Sequence, residues 1–141
     1  MNKLIGVDAL YSKLAQIAKI DLTSALTEAC MVVEKDAKKK CPVDDGTLRG
    51  SITSEVEDNQ GIVGTNVEYA PYVEFGTGLF AANGDGRQTP WTYRDAKGEW
   101  HTTVGQYPQP FLQPALDNNK REIRKVINDG FSRELKKYGK W

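Results

Sequence analysis

Hydrophobic residues recur every three or four positions over a long segment in the first third of the chain. This segment runs from Asp21 or Thr23 to about Lys40. Its apolar positions are Leu22, Leu26, Ala29, Val33 and Ala37. Such spacing places the apolar side chains along one side of an α-helix. Pro42 ends the helix because proline disfavours a helical conformation in the residue before it.

A shorter helix is predicted near the start of the chain, within residues 1–20. Asp8 is a suitable cap, because its carboxylate accepts hydrogen bonds from the free N–H groups of a first helical turn. Leu10, Leu14 and Ile17 follow at helical spacing. The first helix therefore has one apolar face.

A last helix is predicted from Pro114 onward, because proline is favoured at the first helical position. Its apolar residues are Ala115, Leu116, Ile123, Val126, Ile127, Phe131 and Leu135. Gly130 lies among them and lowers helix stability by about 1 kcal/mol relative to alanine, so we expect a kink or a close contact there. Pro110, Phe111 and Leu112 precede this helix, and Phe111 and Leu112 are expected to attach its start to the core.

The segment after the long helix alternates polar and apolar residues. Residues 41–52 are predicted to form a turn followed by a tight hinge. A strand around residues 52–56 then pairs with a strand at residues 62–67 across a turn at residues 58–61. These elements predict a small antiparallel sheet.

A glycine-rich stretch at residues 76–90 shows little periodicity and is predicted to be a long loop. After it, residues 91–94 and 99–102 predict a second hairpin with an aromatic contact of Trp100 across it. Residues 77–107 together form an inserted loop and hairpin. We expect this insertion to be mobile in the isolated subunit and ordered by its neighbours.

Between the two hairpins lies a short stretch rich in aromatic residues. Pro71 and Gly76 predict one or two helical turns here. At helical spacing Tyr69, Tyr72 and Phe75 form an aromatic ridge. The residues alone favour a ridge that fills the core. A contact between subunits is the alternative, and each interpretation can hold for different rings.

Composition predicts a soluble chain that forms a single domain over residues 1–141. Hydrophobic residues make up 39% of the chain, and no apolar run approaches the roughly eighteen residues of a membrane span. We expect neither a signal peptide nor a contact with a membrane. Cys30 and Cys41 lie too far apart on one helical segment to form a disulfide, which indicates a reducing cytoplasm.

The net charge is zero, but the charges are segregated along the chain. Residues 44–85 carry eight acidic residues against Arg49 alone, whereas residues 114–141 carry eight basic residues against four acidic ones. This asymmetry favours head-to-tail association of identical subunits. Two solvated faces explain it equally well.

The residue pattern gives no support for catalysis. His101 is the only histidine, and we expect it on the surface of the second hairpin. No serine or cysteine has a histidine at the spacing of a nucleophilic motif. The ligands are too few for structural zinc, and no phosphate-binding loop is present. We therefore expect no enzyme activity, no catalytic residue, no metal and no cofactor.

Three motifs occur in order and carry a resemblance to a known family. They are Cys41-Pro42-Val43-Asp44-Asp45-Gly46-Thr47-Leu48-Arg49-Gly50-Ser51-Ile52, Tyr69-Ala70-Pro71-Tyr72-Val73-Glu74-Phe75-Gly76-Thr77-Gly78 and Gln109-Pro110-Phe111-Leu112-Gln113-Pro114-Ala115-Leu116. Over roughly residues 20–130 the chain resembles the tail-completion or head–tail joining (neck) proteins of tailed bacteriophages and prophages. Asp45 stands where that family usually has threonine.

The resemblance implies an α+β fold in which a long helix and a C-terminal helix pack on a small antiparallel sheet. It implies a non-enzymatic virion protein that forms a homo-oligomeric ring, expected to be hexameric, at the head–tail junction or tail end. The partners would be copies of itself and other neck or tail proteins, in the virion and, during assembly, in the host cytoplasm. The alternative is a nucleic-acid-binding or DNA-processing module that uses the basic C-terminal helix.

The candidate contact residues come from the three motifs and the last helix. They are Pro42, Asp44, Gly46, Leu48, Arg49, Tyr69, Pro71, Tyr72, Glu74, Phe75, Gly76, Thr77, Pro110, Phe111, Arg121 and Arg124. We expect Glu68 and Glu74 to face basic residues of a neighbour's last helix, with the aromatic residues supplying most of the affinity. Glu74→Lys is then expected to weaken assembly without changing the stability of the subunit.

Overall fold

The computed structural model of the protein describes residues 6–43 and 46–138. Within these ranges the chain forms six α-helices and two separate two-stranded antiparallel sheets, which confirms the predicted α+β fold. The elements are α1 (Val7–Ala18), α2 (Thr23–Lys40), α3 (Thr47–Ser51), β1 (Thr53–Glu57), β2 (Gln60–Gly64), α4 (Ala70–Phe75), β3 (Trp91–Arg94), β4 (Trp100–Thr103), α5 (Leu112–Asp117) and α6 (Lys120–Lys136).

The long helix α2 forms as predicted and lies at the centre of the core. Its buried face packs against α5, α6 and the β1–β2 hairpin. The main cluster of buried residues consists of Val33, Ala37, Cys41, Leu48, Ile52, Ala70, Phe111 and Ala115. Lys38 and Lys40 each form an ion pair with an acidic residue one turn back, at 2.8 and 2.6 Å. These lysines therefore support the helix, because cations are favourable near a helix C-terminus and opposite charges one turn apart attract each other.

Gly130 marks a close approach between α2 and α6. A Cβ atom at this glycine would overlap the Cβ atom of Ala25, so a larger residue would push the two helices apart. Of the two outcomes expected at Gly130, the close contact is confirmed.

The predicted last helix is divided into α5 and α6, so that part of the prediction is wrong. The division lies at Asn119, whose side-chain amide donates hydrogen bonds to the Asp36 carboxylate (2.8 Å) and the Ala115 carbonyl (2.7 Å). Asparagine side chains compete with the helical backbone for hydrogen bonds and so favour helix ends. This asparagine also connects the junction to α2. Helix α5 begins at Leu112, two residues before the Pro114 expected from the sequence.

The first hairpin is confirmed, with a tighter turn than predicted. Strands β1 and β2 pair with Glu57 opposite Gln60. Asp58 and Asn59 alone form the turn, and both have positive φ angles, 52° and 58°. These are the conformations of a type I′ turn, which matches the twist of the two strands. The side-chain oxygen of Asn59 also accepts a hydrogen bond from the Leu22 N–H (3.2 Å).

A short helix, α3, lies where the sequence predicted only a turn and a hinge. Gly46 precedes it with a φ angle of 83°. The helix places Leu48 in the core, where the side chain is 5% exposed, and leaves Arg49 on the surface. The candidate residue Asp44 and its neighbour Asp45 lie outside the described residues.

The second hairpin forms its own sheet, in a register that separates its aromatic residues. Tyr93 lies opposite His101, and Arg94 lies opposite Trp100. The rings of Tyr93 and His101 stack with centroids 5.3 Å apart. Trp100 is on the other face, where the Arg94 guanidinium lies 6.0 Å from its ring centroid. The prediction that Trp100 makes an aromatic contact across the hairpin is therefore wrong.

The first helix, α1, forms as predicted, but Gly6 and not Asp8 precedes it. Asp8 lies in the first turn, where a carboxylate is favourable. No residue of α1 is buried. Leu10 and Leu14 are 58% and 53% exposed, whereas Ile17 is half-buried. The rest of the subunit therefore leaves most of the apolar face of this helix uncovered.

Candidate aromatic contact site and its support

Helix α4 presents its aromatic residues to solvent. Tyr69, Tyr72 and Phe75 are 45%, 58% and 55% exposed, and helical spacing places them in one ridge. The interpretation of this ridge as a core element is therefore wrong for all three rings. Ala70 faces the core in their place and is 5% exposed. The ridge stays a predicted contact between subunits.

Gly76 ends α4 and redirects the chain, as the sequence predicted. Its φ angle is 77°, a value that favours glycine. A Cβ atom here would lie 2.8 Å from the Phe80 carbonyl oxygen and 2.9 Å from that of Gln106. The end of α4 is thus held against the base of the insertion, with no space for a side chain.

Glu74 points inward from α4 and caps the start of α5. Its side chain accepts hydrogen bonds from the backbone N–H groups of Phe111 (2.7 Å), Leu112 (3.0 Å) and Gln113 (2.8 Å). The residue is 7% exposed. A carboxylate suits this position because the first N–H groups of a helix lack partners and attract negative charge. The expectation that Glu74 faces a neighbouring subunit is therefore wrong.

The three sequence motifs meet inside the subunit. Leu48 from the first, Ala70 from the second and Phe111 from the third belong to one buried cluster. The Gln109 N–H also donates to the Val73 carbonyl oxygen (2.8 Å) and joins the third motif to α4. Part of the motif pattern is thus explained by packing. Among the candidate contact residues of the motifs, those left on the surface are Arg49, Tyr69, Pro71, Tyr72, Phe75 and Pro110, while Pro42, Gly46 and Thr77 are half-buried.

The basic candidates on α6 are exposed but do not meet Glu74. Arg121, Arg124 and Lys125 all lie on the surface of that helix. Of the two acidic residues expected in a subunit contact, Glu68 is the exposed one. A charged contact between copies of the chain can therefore use Glu68, whereas the carboxylate of Glu74 is already engaged.

The inserted segment is closed at its base by hydrogen bonds between its two ends. The N–H groups of Thr77 and Leu79 donate to the carbonyl oxygens of Gln106 and Val104, both at 2.9 Å. The rings of Phe80 and Tyr107 stack across this base with centroids 3.9 Å apart. The long loop predicted from the sequence thus begins with ordered contacts and a 3-10 turn at Gly78–Phe80.

Hydrogen exchange is expected to divide the insertion into two parts. In a monomeric sample, the amides of Thr77 and Leu79 should be protected, because both are bonded across the base. The amides of residues 87–89 lie in an exposed stretch and should exchange rapidly until a neighbour covers them. Mass spectrometry of the exchanged peptides measures both. Strong protection of residues 87–89 in the monomer would show that the subunit alone orders this part of the insertion.

The tip of the second hairpin gathers Asp95, Glu99 and His101, whose potential ligand atoms lie within 4.8 Å of one another. Asp95 already accepts hydrogen bonds from the N–H groups of Lys97 and Glu99, both at 2.9 Å, and contacts His101 Nε2 at 2.7 Å. The hydrogen bond with His101 is the main cause that lowers the pKa of the Asp95 carboxyl. The geometry of the turn accounts for this cluster.

A groove of about 860 Å³ opens between α2, β2, α4 and the two last helices. Its lining includes Ala29, Cys30 and Val33, which α2 contributes, and the more exposed Ile62 and Leu116. Burial raises the pKa of the Cys30 thiol, so the thiol stays protonated and reacts slowly. Sequence reasoning missed the groove because its walls come from distant segments.

Residues 8–76 match the family model described as "Bacteriophage HK97-gp10, putative tail-component". The predicted resemblance to phage tail and neck proteins is confirmed. The HK97-gp10-like segment is just under half of the chain and contains the first motif, the second motif as far as Gly76, and helices α1 (from Asp8) to α4. It ends at Gly76, so the insertion and the third motif lie outside it.

The HK97-gp10-like match indicates a structural component of a phage tail, which belongs in the virion. No match was found among curated proteins or among solved structures. None of the helices in the described part of the chain is long and apolar enough to cross a membrane.

Proposed function

We propose that this protein is a non-enzymatic subunit of a homo-oligomeric ring, at the head–tail junction or the end of the phage tail. The exposed aromatic ridge of α4 (Tyr69, Tyr72 and Phe75) is the observation that carries the proposal. Monomers rarely leave several large rings together in solvent, whereas aromatic residues are enriched at protein interfaces. The HK97-gp10-like match supports a phage tail as the assembly in which this surface would make its contacts.

The subunit holds the ridge rigidly, which suits a contact that must be made repeatedly around a ring. Glu74 binds one side of α4 to the start of α5. Gly76 ends the helix against Phe80 and Gln106. A surface fixed in advance loses little conformational entropy when it binds a partner. The ridge therefore has the properties of a preformed contact site.

Binding to assembled phage tails tests this proposal. Labelled protein should sediment with purified tails, and electron microscopy should locate it at one end of them. The double variant Tyr72→Ser/Phe75→Ser should bind at least about tenfold more weakly, because two exposed rings no longer bury apolar area. Met31→Ser is the matched control, since Met31 is 61% exposed on α2 and lies outside the ridge.

Two results would contradict the proposal. One is that neither the wild-type protein nor any variant associates with tails or with itself. The other is that the chain binds duplex DNA with a steep salt dependence that Arg121→Ala/Arg124→Ala removes, while self-association is absent. That result would favour the nucleic-acid-binding alternative.

A further inference from the structure

We infer that the groove between α2, β2 and the last two helices receives helix α1 of a second copy of this chain. This inference rests on the proposed ring and names the contact that joins its subunits. The first observation is that one chain carries both a convex apolar surface and a concave one, and covers neither.

Helix α1 has the spacing of a helix that binds in a groove. Val7, Leu10, Tyr11 and Leu14 are separated by three, four and seven positions, and they are 44%, 58%, 76% and 53% exposed. Anchors at i, i+3, i+4 and i+7 are the pattern by which an amphipathic helix enters an apolar groove. A helix that packed only within its own subunit would bury this stripe, but α1 buries no residue.

The groove offers a complementary surface. Its lining is mainly apolar and includes two side chains that remain in solvent, Ile62 at 56% and Leu116 at 44% exposed. The charged residues among its described lining are both acidic, Glu68 and Glu74. Since Glu74 is engaged with α5, Glu68 supplies the charge at the surface.

The positive charge that directly follows α1 favours this occupant over a helix with an acidic end. Helix α1 itself carries Lys13 and Asp8, which balance each other, and the exposed Lys19 comes directly after it. Lys19 next to Glu68 would orient the helix by attraction as it docks. The apolar stripe supplies the affinity, because exposed ion pairs contribute only about 0–1 kcal/mol.

The connection to α2 holds α1 away from the groove of its own subunit. No residue of α1 lines that groove. Ile20, in the connection, is 5% exposed, and the neighbouring Leu22 N–H is bonded to Asn59 at the first hairpin. These anchors fix where α1 leaves the subunit. A helix on one copy and a groove on the next form a head-to-tail contact. Such contacts close into a ring when the rotation that relates one subunit to the next brings the last subunit back to the first.

Leu14→Asp tests the contact from the side of the helix. It should raise the concentration needed for half-assembly by at least about tenfold, because a leucine that the contact would bury is replaced by a charge. Met31→Asp makes a chemically similar change at an exposed site outside both surfaces. It should leave the concentration needed for half-assembly within about twofold of the wild-type value. Circular dichroism should show the same unfolding transition for both variants. If rings form and Leu14→Asp assembles like wild type, this inference is wrong while the proposed function stands.

Cross-linking between differently labelled chains tests the contact directly. One chain carries Leu14→Cys, another carries Leu116→Cys or Ile62→Cys, and a short bismaleimide is added to each alone and to the mixture. Cross-linked dimers should appear in the mixture and be scarce in each sample alone. Wild-type protein is the control, since burial raises the pKa of both native thiols, Cys30 and Cys41.

Two outcomes of the cross-linking would overturn the inference. In a chain carrying both cysteines, linkage within single monomers would show that α1 closes its own groove. A mixture no more cross-linked than its separate components would show that α1 does not reach a neighbour's groove. Binding of the same sample to assembled tails would then show whether a different surface joins the protein to its partners.

Discussion

Glu74→Ala is expected to lower the free energy of unfolding by about 3 kcal/mol or more. The change removes a carboxylate that accepts hydrogen bonds from three successive N–H groups at the start of α5. At least the Phe111 N–H then stays buried without a partner, since Phe111 is fully buried. Urea unfolding of the purified subunit, followed by circular dichroism, measures the loss.

Three variants make this prediction specific. Glu74→Gln keeps the shape and one acceptor oxygen, so it should lose only about 1–2 kcal/mol. Glu68→Ala removes an exposed carboxylate close to α4 and should change stability by less than about 0.5 kcal/mol. Glu74→Lys should unfold the subunit, in contrast to the effect on assembly alone that the sequence suggested. A Glu74→Ala subunit as stable as wild type would contradict the role of Glu74 in the fold.

Phe111→Ala is expected to cost about 3–5 kcal/mol, because it leaves a cavity where the α5 start meets the core. Phe111 is one of the two largest side chains that are fully buried among the described residues. It packs in the cluster that α2, α3 and α4 share. Chemical unfolding measures this loss in the same way.

Phe75→Ala is the matched control for Phe111→Ala, because the same atoms are removed from a ring that is 55% exposed. Its effect on unfolding should stay below about 1 kcal/mol. Its effect on self-association should be larger, since Phe75 belongs to the aromatic ridge. If Phe75→Ala unfolds the subunit as strongly as Phe111→Ala does, the ridge serves the fold and not a contact.

The elements that could be predicted from the sequence are those fixed by local spacing. The apolar stripe of α2 and the first hairpin depend on neighbouring residues, and both formed as predicted except that the turn of the hairpin is shortened to Asp58 and Asn59. The break between α5 and α6 was missed because the amide of Asn119 finds its partner at Asp36, on another helix. No local pattern contains that contact.

The side of α4 that faces the core could not be read from residue type. Hydrophobicity favoured an inward ridge of Tyr69, Tyr72 and Phe75, yet the structure turns Glu74 inward. The reason lies 37 residues further along the chain, where the N–H group of Phe111 needs an acceptor. Burial of a charged residue is favourable only with such partners, and their position is a property of the tertiary fold.

Native mass spectrometry of the purified wild-type chain over a range of concentrations tests the central claim most directly. The ring predicts one dominant closed species, expected to be a hexamer, with no higher members as the concentration rises. A single-chain mass at every concentration, or an open series of ever larger assemblies, would contradict it.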